Sequence, residues 1–418
     1  MKRIFFACFS KEEFLTISPV LPILEKQGFE FSFLQPLFAA PDLSKQKNIK
    51  IFEPQPCSSA KIPGTCLHGD VKKSLSFFIS GDRIDQVLAL SVDAIRLSWS
   101  TPVELLGYLE GIKYYQDFVE KGFASYAPDL VVLVPGKTES EIVAGICAIQ
   151  KRSHVFLLPP YLEFKVLLPF PFRPGVLHIV ASEFGKKRLM RRGIDATHIV
   201  ITGNPRMDSV LAFRNGIAKR PYYLLKKRLL GRSRTILYAT EGLDQNVKLF
   251  ELLRGYVRTR SHVKLHVRLH PFEPDGFLKG DGKKVIVSRK GNLFEDLTSS
   301  EALVTVSSTT MLEALILGIP VISFRTGFFP PRAVFSTEGD VLTAHNYREL
   351  ENYLDQILFE PDFREAWLSE HQEAFEKYIG YSDGRAAQRL AAIIREALMN
   401  KPKEESVCYG IQSHMQRV

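Results

Sequence analysis

Residues 303–324 read LVTVSSTTMLEALILGIPVISF. Leu303 to Val306 has the apolar, β-branched composition of a strand buried on both faces. Four hydroxyl residues follow: Ser307, Ser308, Thr309 and Thr310. The next apolar run stops at Gly318, as helices commonly do. Pro320 then leads into a second buried strand, Val321 to Phe324. Strand, turn, helix and strand in this order form a βαβ unit, which implies a parallel sheet. The turn places hydroxyls and backbone N–H groups at a helix start, beyond the carboxyl end of a strand. That is where α/β proteins hold anions. Capping explains one Ser or Thr there. Four exceed what a cap needs, so Ser307, Ser308 and Thr309 are expected to bind a phosphate. Glu313, one turn further on, either reaches a sugar hydroxyl of the same ligand or stabilises the first helical turns as a surface acid.

The same alternation extends in both directions. Upstream, the spacing predicts strands over 235–238, 263–269 and 284–288, and helices over 247–258 and 293–297. Downstream it predicts helices over 347–359, 364–378 and 384–398. An earlier series begins with a strand over 3–9, a helix over 11–27 and a strand over 30–34. Residues 40–85 are turn-rich and unassigned, and helices over 84–97 and 102–121 follow. Then come strand 130–134, helix 139–150, strands 154–158 and 177–181, helix 183–192 and strand 198–202. Two such series mean α/β architecture: two doubly wound parallel sheets joined near 204–220, with ligands expected in a cleft between them. The expected domains are 1–205, 206–380, a helix at 381–398 returning to the first domain, and a disordered tail at 399–418.

Residues 261–271 read SHVKLHVRLHP. His262, His266 and His270 recur every four residues, which on a helix suggests a metal. Val263, Leu265, Val267 and Leu269 alternate strictly with polar residues, however, so the segment reads as a strand. His270 then ends that strand facing a ligand, or is merely solvated there, and Arg268 on the same face adds positive charge. Glu241, in the segment Thr240-Glu241-Gly242, falls at another strand end. It is a candidate general base, or a polar loop residue. Glu139 and Glu141 are further candidates for that base, or first-turn acids of a helix. Residues 131–138, VVLVPGKT, imitate a P-loop but carry Val131 where its first glycine belongs, so an ATPase is set aside.

The chain has 418 residues, net charge +9 and 45% apolar residues. The charge suits anionic partners. Basic, aromatic-flanked segments at Lys186–Arg192 and Arg214–Arg234 suit an anionic membrane surface or a plain solvated face. Nucleic acid competes for them, but no nucleic-acid module frames them, and none is expected to bind. The five cysteines form no CxxC pair, as in a reduced cytoplasmic protein. The run 155–172 is interrupted by prolines and charges, so no transmembrane helix is expected. Nor is a signal peptide, because Lys11, Glu12 and Glu13 end the first apolar run early.

In order along the chain stand Gly203-Asn204-Pro205-Arg206, then His270-Pro271, then Ser307-Ser308-Thr309 with Glu313. Over about 176–330 this resembles GT-B fold glycosyltransferases of bacterial surface-glycan synthesis. It is most similar to the sialyltransferases and Kdo transferases that use CMP-sugars. Related segments occur in CDP-glycerol glycerophosphotransferases and UDP-GlcNAc 2-epimerases. The resemblance implies donor contacts from His270, Ser307 and Ser308. Thr309, Glu313, Arg268, Gly203, Asn204 and Arg206 are further candidates for donor binding. The family's paired acids would fall at Thr240 and Glu241, so the first acid is missing.

The expected function is transfer of a sugar, CMP-linked Kdo or sialic acid in the first instance, to a glycan or lipid-linked acceptor. The expected setting is lipopolysaccharide or capsule synthesis, peripheral to the inner membrane face. No metal is expected, because no Asp-x-Asp motif follows an early strand, and no cofactor beyond the donor substrate. The rivals are a 2-epimerase, a CDP-glycerol transferase and a non-catalytic nucleotide-binding subunit.

Overall fold

The computed structural model describes residues 2–7, 11–34, 49–52, 126–134, 154–158, 176–191, 194–217, 233–241, 245–270, 273–274, 276–325, 339–371 and 374–399. It divides into two compact units: Met1–Arg206 with Arg385–Val418, and Met207–Gly384. The expected helices at 84–97, 102–121 and 139–150 and the expected tail lie outside the described residues, as do Glu139 and Glu141.

The first unit is built on a parallel seven-stranded sheet. Its strands are β1 (Arg3–Ala7), β2 (Glu30–Leu34), β3 (Ile49–Phe52), β4 (Leu130–Leu133), β5 (His154–Leu157), β6 (Val176–Val180) and β7 (Ile199–Ile201). Their order is β3-β2-β1-β4-β5-β6-β7. The strands β4 to β6 are buried almost throughout, as a sheet covered on both faces requires. β3 falls inside the segment that the sequence left unassigned.

The helix expected over 11–27 is two, α1 (Lys11–Ile17) and α2 (Leu21–Lys26). Pro19 breaks the run, since proline lacks an N–H and clashes with the preceding turn. Pro22 is tolerated because it sits in the first turn of α2. Helix α3 (Glu183–Arg191) follows β6.

The second unit opens with α4 (Met207–Ile217), a helix where the sequence suggests only the join between the two series. Its sheet has β8 (Arg234–Ala239), β9 (Val263–Arg268), β10 (Val285–Ser288), β11 (Ala302–Thr305), β12 (Val321–Phe324) and β13 (Leu342–Ala344). The order is β10-β9-β8-β11-β12-β13, and every pair is parallel. The strand order reverses between β8 and β11, successive strands being added on one side of β8 and then on the other, which makes a topological switch point there.

Helices α5 (Gln245–Arg258), α6 (Leu293–Thr298), α7 (Thr310–Ile316) and α8 (Tyr347–Phe359) follow. The single helix expected over 364–378 is instead α9 (Pro361–His371) and α10 (Glu376–Ile379). Tyr238, Leu253, Tyr256, Leu265, Val304 and Leu354 form part of the core under α5 and α8.

The last helix, α11 (Ala386–Met399), belongs to the first unit. Its Ala387, Leu390, Ala391 and Ile394 join Phe6, Phe33 and Val132 in one core cluster. The Arg389 Nε donates to the Thr202 carbonyl at 2.8 Å, fixing α11 at the end of β7. Among the described residues no helix is long and apolar enough to cross a membrane.

Candidate functional site

Strand register assembles the site in the second unit. Ala239 lies opposite Arg268, and Tyr238 opposite Val304, so β8, β9 and β11 end nearly level. Their carboxyl ends carry Thr240 and Glu241, His270, and the 306–310 turn. Tyr238, fully buried behind them, has its phenol pushed well above its ordinary range, first by burial and then by the Glu241 and Glu273 charges.

Glu241 crosses the switch point. One carboxylate oxygen accepts from the Thr305 hydroxyl at 2.9 Å and from the Ser307 N–H, and the other accepts from the Ser307 hydroxyl at 2.6 Å. The donors expected to hold a ligand phosphate at Ser307 therefore hold a protein carboxylate. The single Thr305 hydroxyl proton is shared between this carboxylate and the Ala239 carbonyl, 2.8 Å away.

Ser308 takes the capping role. Its Oγ accepts from the Thr310 N–H at 3.3 Å and donates to the Thr310 hydroxyl at 3.1 Å. Thr309, formally the N-cap of α7, makes no side-chain cap bond. Its carbonyl accepts from the Leu312 N–H at 3.0 Å. Glu313 is only 3% exposed, which removes the surface-acid reading.

The alternation in β9 is that of a strand: Val263, Leu265 and Val267 are buried, and Lys264 is exposed. The three histidines accordingly part company. His266 shares a 2.7 Å hydrogen bond with Ser288, and burial, aided by the Arg268 charge, lowers its pKa against the opposing pull of Asp296. His270, half-buried past the strand end, donates its N–H to Thr240 Oγ1 at 2.7 Å and to Glu273 Oε2 at 2.9 Å.

Arg268 is engaged inside the unit. Its guanidinium meets Asp296 at 2.5 Å and the Gly291 carbonyl at 3.1 Å. Asp296, on α6, was overlooked because nothing in its local sequence links it to β9. Beside the β9 end lies a cavity of about 510 Å³, lined among others by Leu269, Lys279, Ser288 and Arg289.

Gly203, Asn204 and Arg206 stand in the first unit, after β7. Gly203 adopts φ +83°, a left-handed conformation that glycine tolerates best. Asn204 Oδ1 accepts from the Arg206 N–H at 3.0 Å, an Asx turn. The motif thus shapes the chain as it leaves β7.

The basic segments are partly absorbed by packing. On α3, Lys187, Met190 and Arg191 are exposed, while Arg188 lies 5.7 Å from the Phe184 ring centroid. At the ends of the second segment, Arg214 lies over Phe375 at 5.3 Å and Arg234 over Phe359 at 4.7 Å. Residues 218–232 are outside the described set.

No family model and no curated protein matches the sequence. Solved structures do resemble it. The Neisseria meningitidis UDP-GlcNAc 2-epimerase bound to UDP-GlcNAc shares 15% identity over 96% of this chain and 100% of that one, with a TM-score of 0.59. The Methanocaldococcus jannaschii UDP-GlcNAc 2-epimerase in complex with UDP-GlcNAc and UDP shares 15%, over 94% and 99%, with 0.58. CalG4, the calicheamicin glycosyltransferase, shares 13%, over 96% and 99%, with 0.57. At such identities the likeness is one of fold. The chain has the α/β GT-B fold, with two Rossmann-like units.

Proposed function

We propose that this chain is a sugar-nucleotide enzyme: a glycosyltransferase that moves a sugar from a pyrimidine-nucleotide donor to a glycan or lipid-linked acceptor. The observation behind this reading is the convergence of His270, the Ser308–Thr309 turn and Glu241 where the strand order of the second sheet reverses. Ligands of open α/β sheets bind outside that point. The neighbours that carry UDP or UDP-GlcNAc favour a uridine donor, and the sequence resemblance favours a cytidine one.

In the reaction the acceptor oxygen bonds to the anomeric carbon as the bond from that carbon to the phosphate oxygen breaks. The nucleotide leaves with the electron pair, and the acceptor proton passes to a base. His270 and the Ser308–Thr309 turn stabilise the charge on the departing phosphate, a task worth several kcal/mol in a preorganised site (about 3). Both Glu241 oxygens are engaged, so Glu241 shapes the turn and the base role goes to Glu139 or Glu141. The exposed Lys187 and Arg191 suit an acceptor carried on an anionic surface.

The second reading, a sugar-nucleotide 2-epimerase, is favoured by the UDP-GlcNAc 2-epimerases among the fold neighbours. One experiment separates them. The protein is incubated with UDP-GlcNAc, a CMP-linked sugar or CDP-glycerol, with and without lipid-linked glycan, and products are resolved by chromatography. Acceptor-dependent nucleotide release supports the transferase. A C2 epimer formed without acceptor replaces it with the epimerase. Failure of every cytidine and uridine nucleotide to shift the melting temperature removes both.

A further inference from the structure

The turn after β9 is closed by a buried carboxylate. Glu273 is 4% exposed, and a carboxylate withdrawn from water is tolerated only where charge-assisted hydrogen bonds replace its hydration. Its Oε2 accepts from the His270 N–H at 2.9 Å and from the Thr240 hydroxyl. Thr240 Oγ1 in turn accepts from the same His270 N–H at 2.7 Å. Glu273 answers with its own N–H, donated to the His270 carbonyl at 3.0 Å. The two residues hold each other as the members of a capping box do, here across a turn. Thr240 joins this turn to β8, because its N–H donates to the Arg268 carbonyl at 3.1 Å. A four-residue turn closes on one main-chain bond without any buried charge. The carboxylate therefore does more than close it: it takes the amide of the one residue that the turn must aim.

We propose that Glu273, acting with Thr240, is a positioning residue that fixes the His270 main chain and so the direction in which the imidazole leaves the end of β9. The consequence for phosphate binding rests on the function proposed above. The positioning itself is a property of the nucleotide-free protein.

The test uses the full chain labelled with ¹⁵N-histidine. The His270 ring signals are identified by their loss in His270→Ala, and UDP and CMP serve as probes. Without nucleotide, Glu273→Ala and Thr240→Val are expected to shift or broaden the His270 ring signals and leave those of His154 in place. Thr240→Ser, which keeps the hydroxyl, is expected to restore them. UDP affinity in the Ala and Val variants is expected to fall on the order of tenfold, as small misplacements of a contact do. Should Glu273→Ala not fold, Glu273→Gln keeps the shape without the charge and is expected to move the ring signals in the same direction. Unchanged His270 ring signals in the folded variants overturn the proposal. If His270→Ala binds UDP and CMP normally while Glu273→Ala still moves the ring, the phosphate-contact reading falls and the positioning role stands.

Discussion

The Glu241 carboxylate accepts from the Ser307 hydroxyl at 2.6 Å and from the Ser307 N–H, joining the loops after β8 and β11. This bond changes what Glu241 is for. A general base needs an oxygen turned to its substrate. This carboxylate instead satisfies three donors on the neighbouring strand end.

Glu241→Ala should therefore cost stability. It leaves the Ser307 N–H and hydroxyl without their acceptor, while Thr305 keeps the Ala239 carbonyl, and hydrogen bonds to a charged group are each worth about 2 kcal/mol. Urea unfolding should show a loss of that order. A variant as stable as the wild type but inactive would return Glu241 to the role of base. Glu139→Gln and Glu141→Gln give the complementary measurement: one of them should lower turnover with donor affinity kept.

Arg268 and Asp296 form a half-buried pair, with side-chain exposures of 19% and 18%. Removing one partner strands the other, so Arg268→Ala should destabilise by about 2 kcal/mol. Arg268→Met with Asp296→Leu should recover most of that, because a matched apolar pair often replaces an ion pair at little cost. A double-mutant cycle measures the coupling. If Arg268 instead met a donor phosphate directly, Arg268→Ala would weaken UDP binding without lowering stability.

These two sites show what periodicity makes legible. The period of two in Val263, Leu265 and Val267 identified β9 correctly despite the helical spacing of its histidines, because burial of alternate side chains is a local signal. The 303–324 unit was readable for the same reason, with its first strand shifted by one residue and its second, Val321–Phe324, at the expected bounds. Helix α4 was hidden behind the turn signal of Asn204-Pro205. The Glu241–Ser307 and Arg268–Asp296 contacts join residues 66 and 28 positions apart. Such pairings follow from strand order, and no local pattern carries them. Glu273 was the exception: an acid three residues after His270, across a proline, is a turn signal that went unused.

Acid should weaken the first unit through His178. This residue of β6 is 9% exposed, and its Nε2 has no hydrogen-bond partner among the described residues. Burial, helped by the nearby His198, lowers its pKa from 6.5 to about 4. The unfolded chain then binds the proton more readily than the folded one. The neutral ring contributes its full stability above pH 6.5, and that stability is lost as pH falls toward 4. The shift corresponds to about 3 kcal/mol. Burial lowers the His154 pKa in the same direction, so some acid sensitivity remains without His178. Denaturant midpoints for His178→Leu should fall less steeply between pH 6.5 and 4 than those of the wild type. Parallel curves would show that His178 is not the group responsible.

The 306–310 turn separates capping from ligand binding. Ser308 accepts the Thr310 N–H, whereas Thr309 makes no cap bond. Ser308→Ala should therefore lower stability by about 1 kcal/mol, the usual worth of a cap. Thr309→Ala should stay within about 0.5 kcal/mol of the wild type. Added UDP or CMP should reverse the ranking if the turn holds a phosphate: Thr309→Ala then loses more of the ligand-induced rise in melting temperature than of the intrinsic stability. Equal stabilisation of wild type and Thr309→Ala by both nucleotides would place the phosphate away from Thr309. The hydroxyls would then stand as structural, with Ser308 the cap and Ser307 the partner of Glu241.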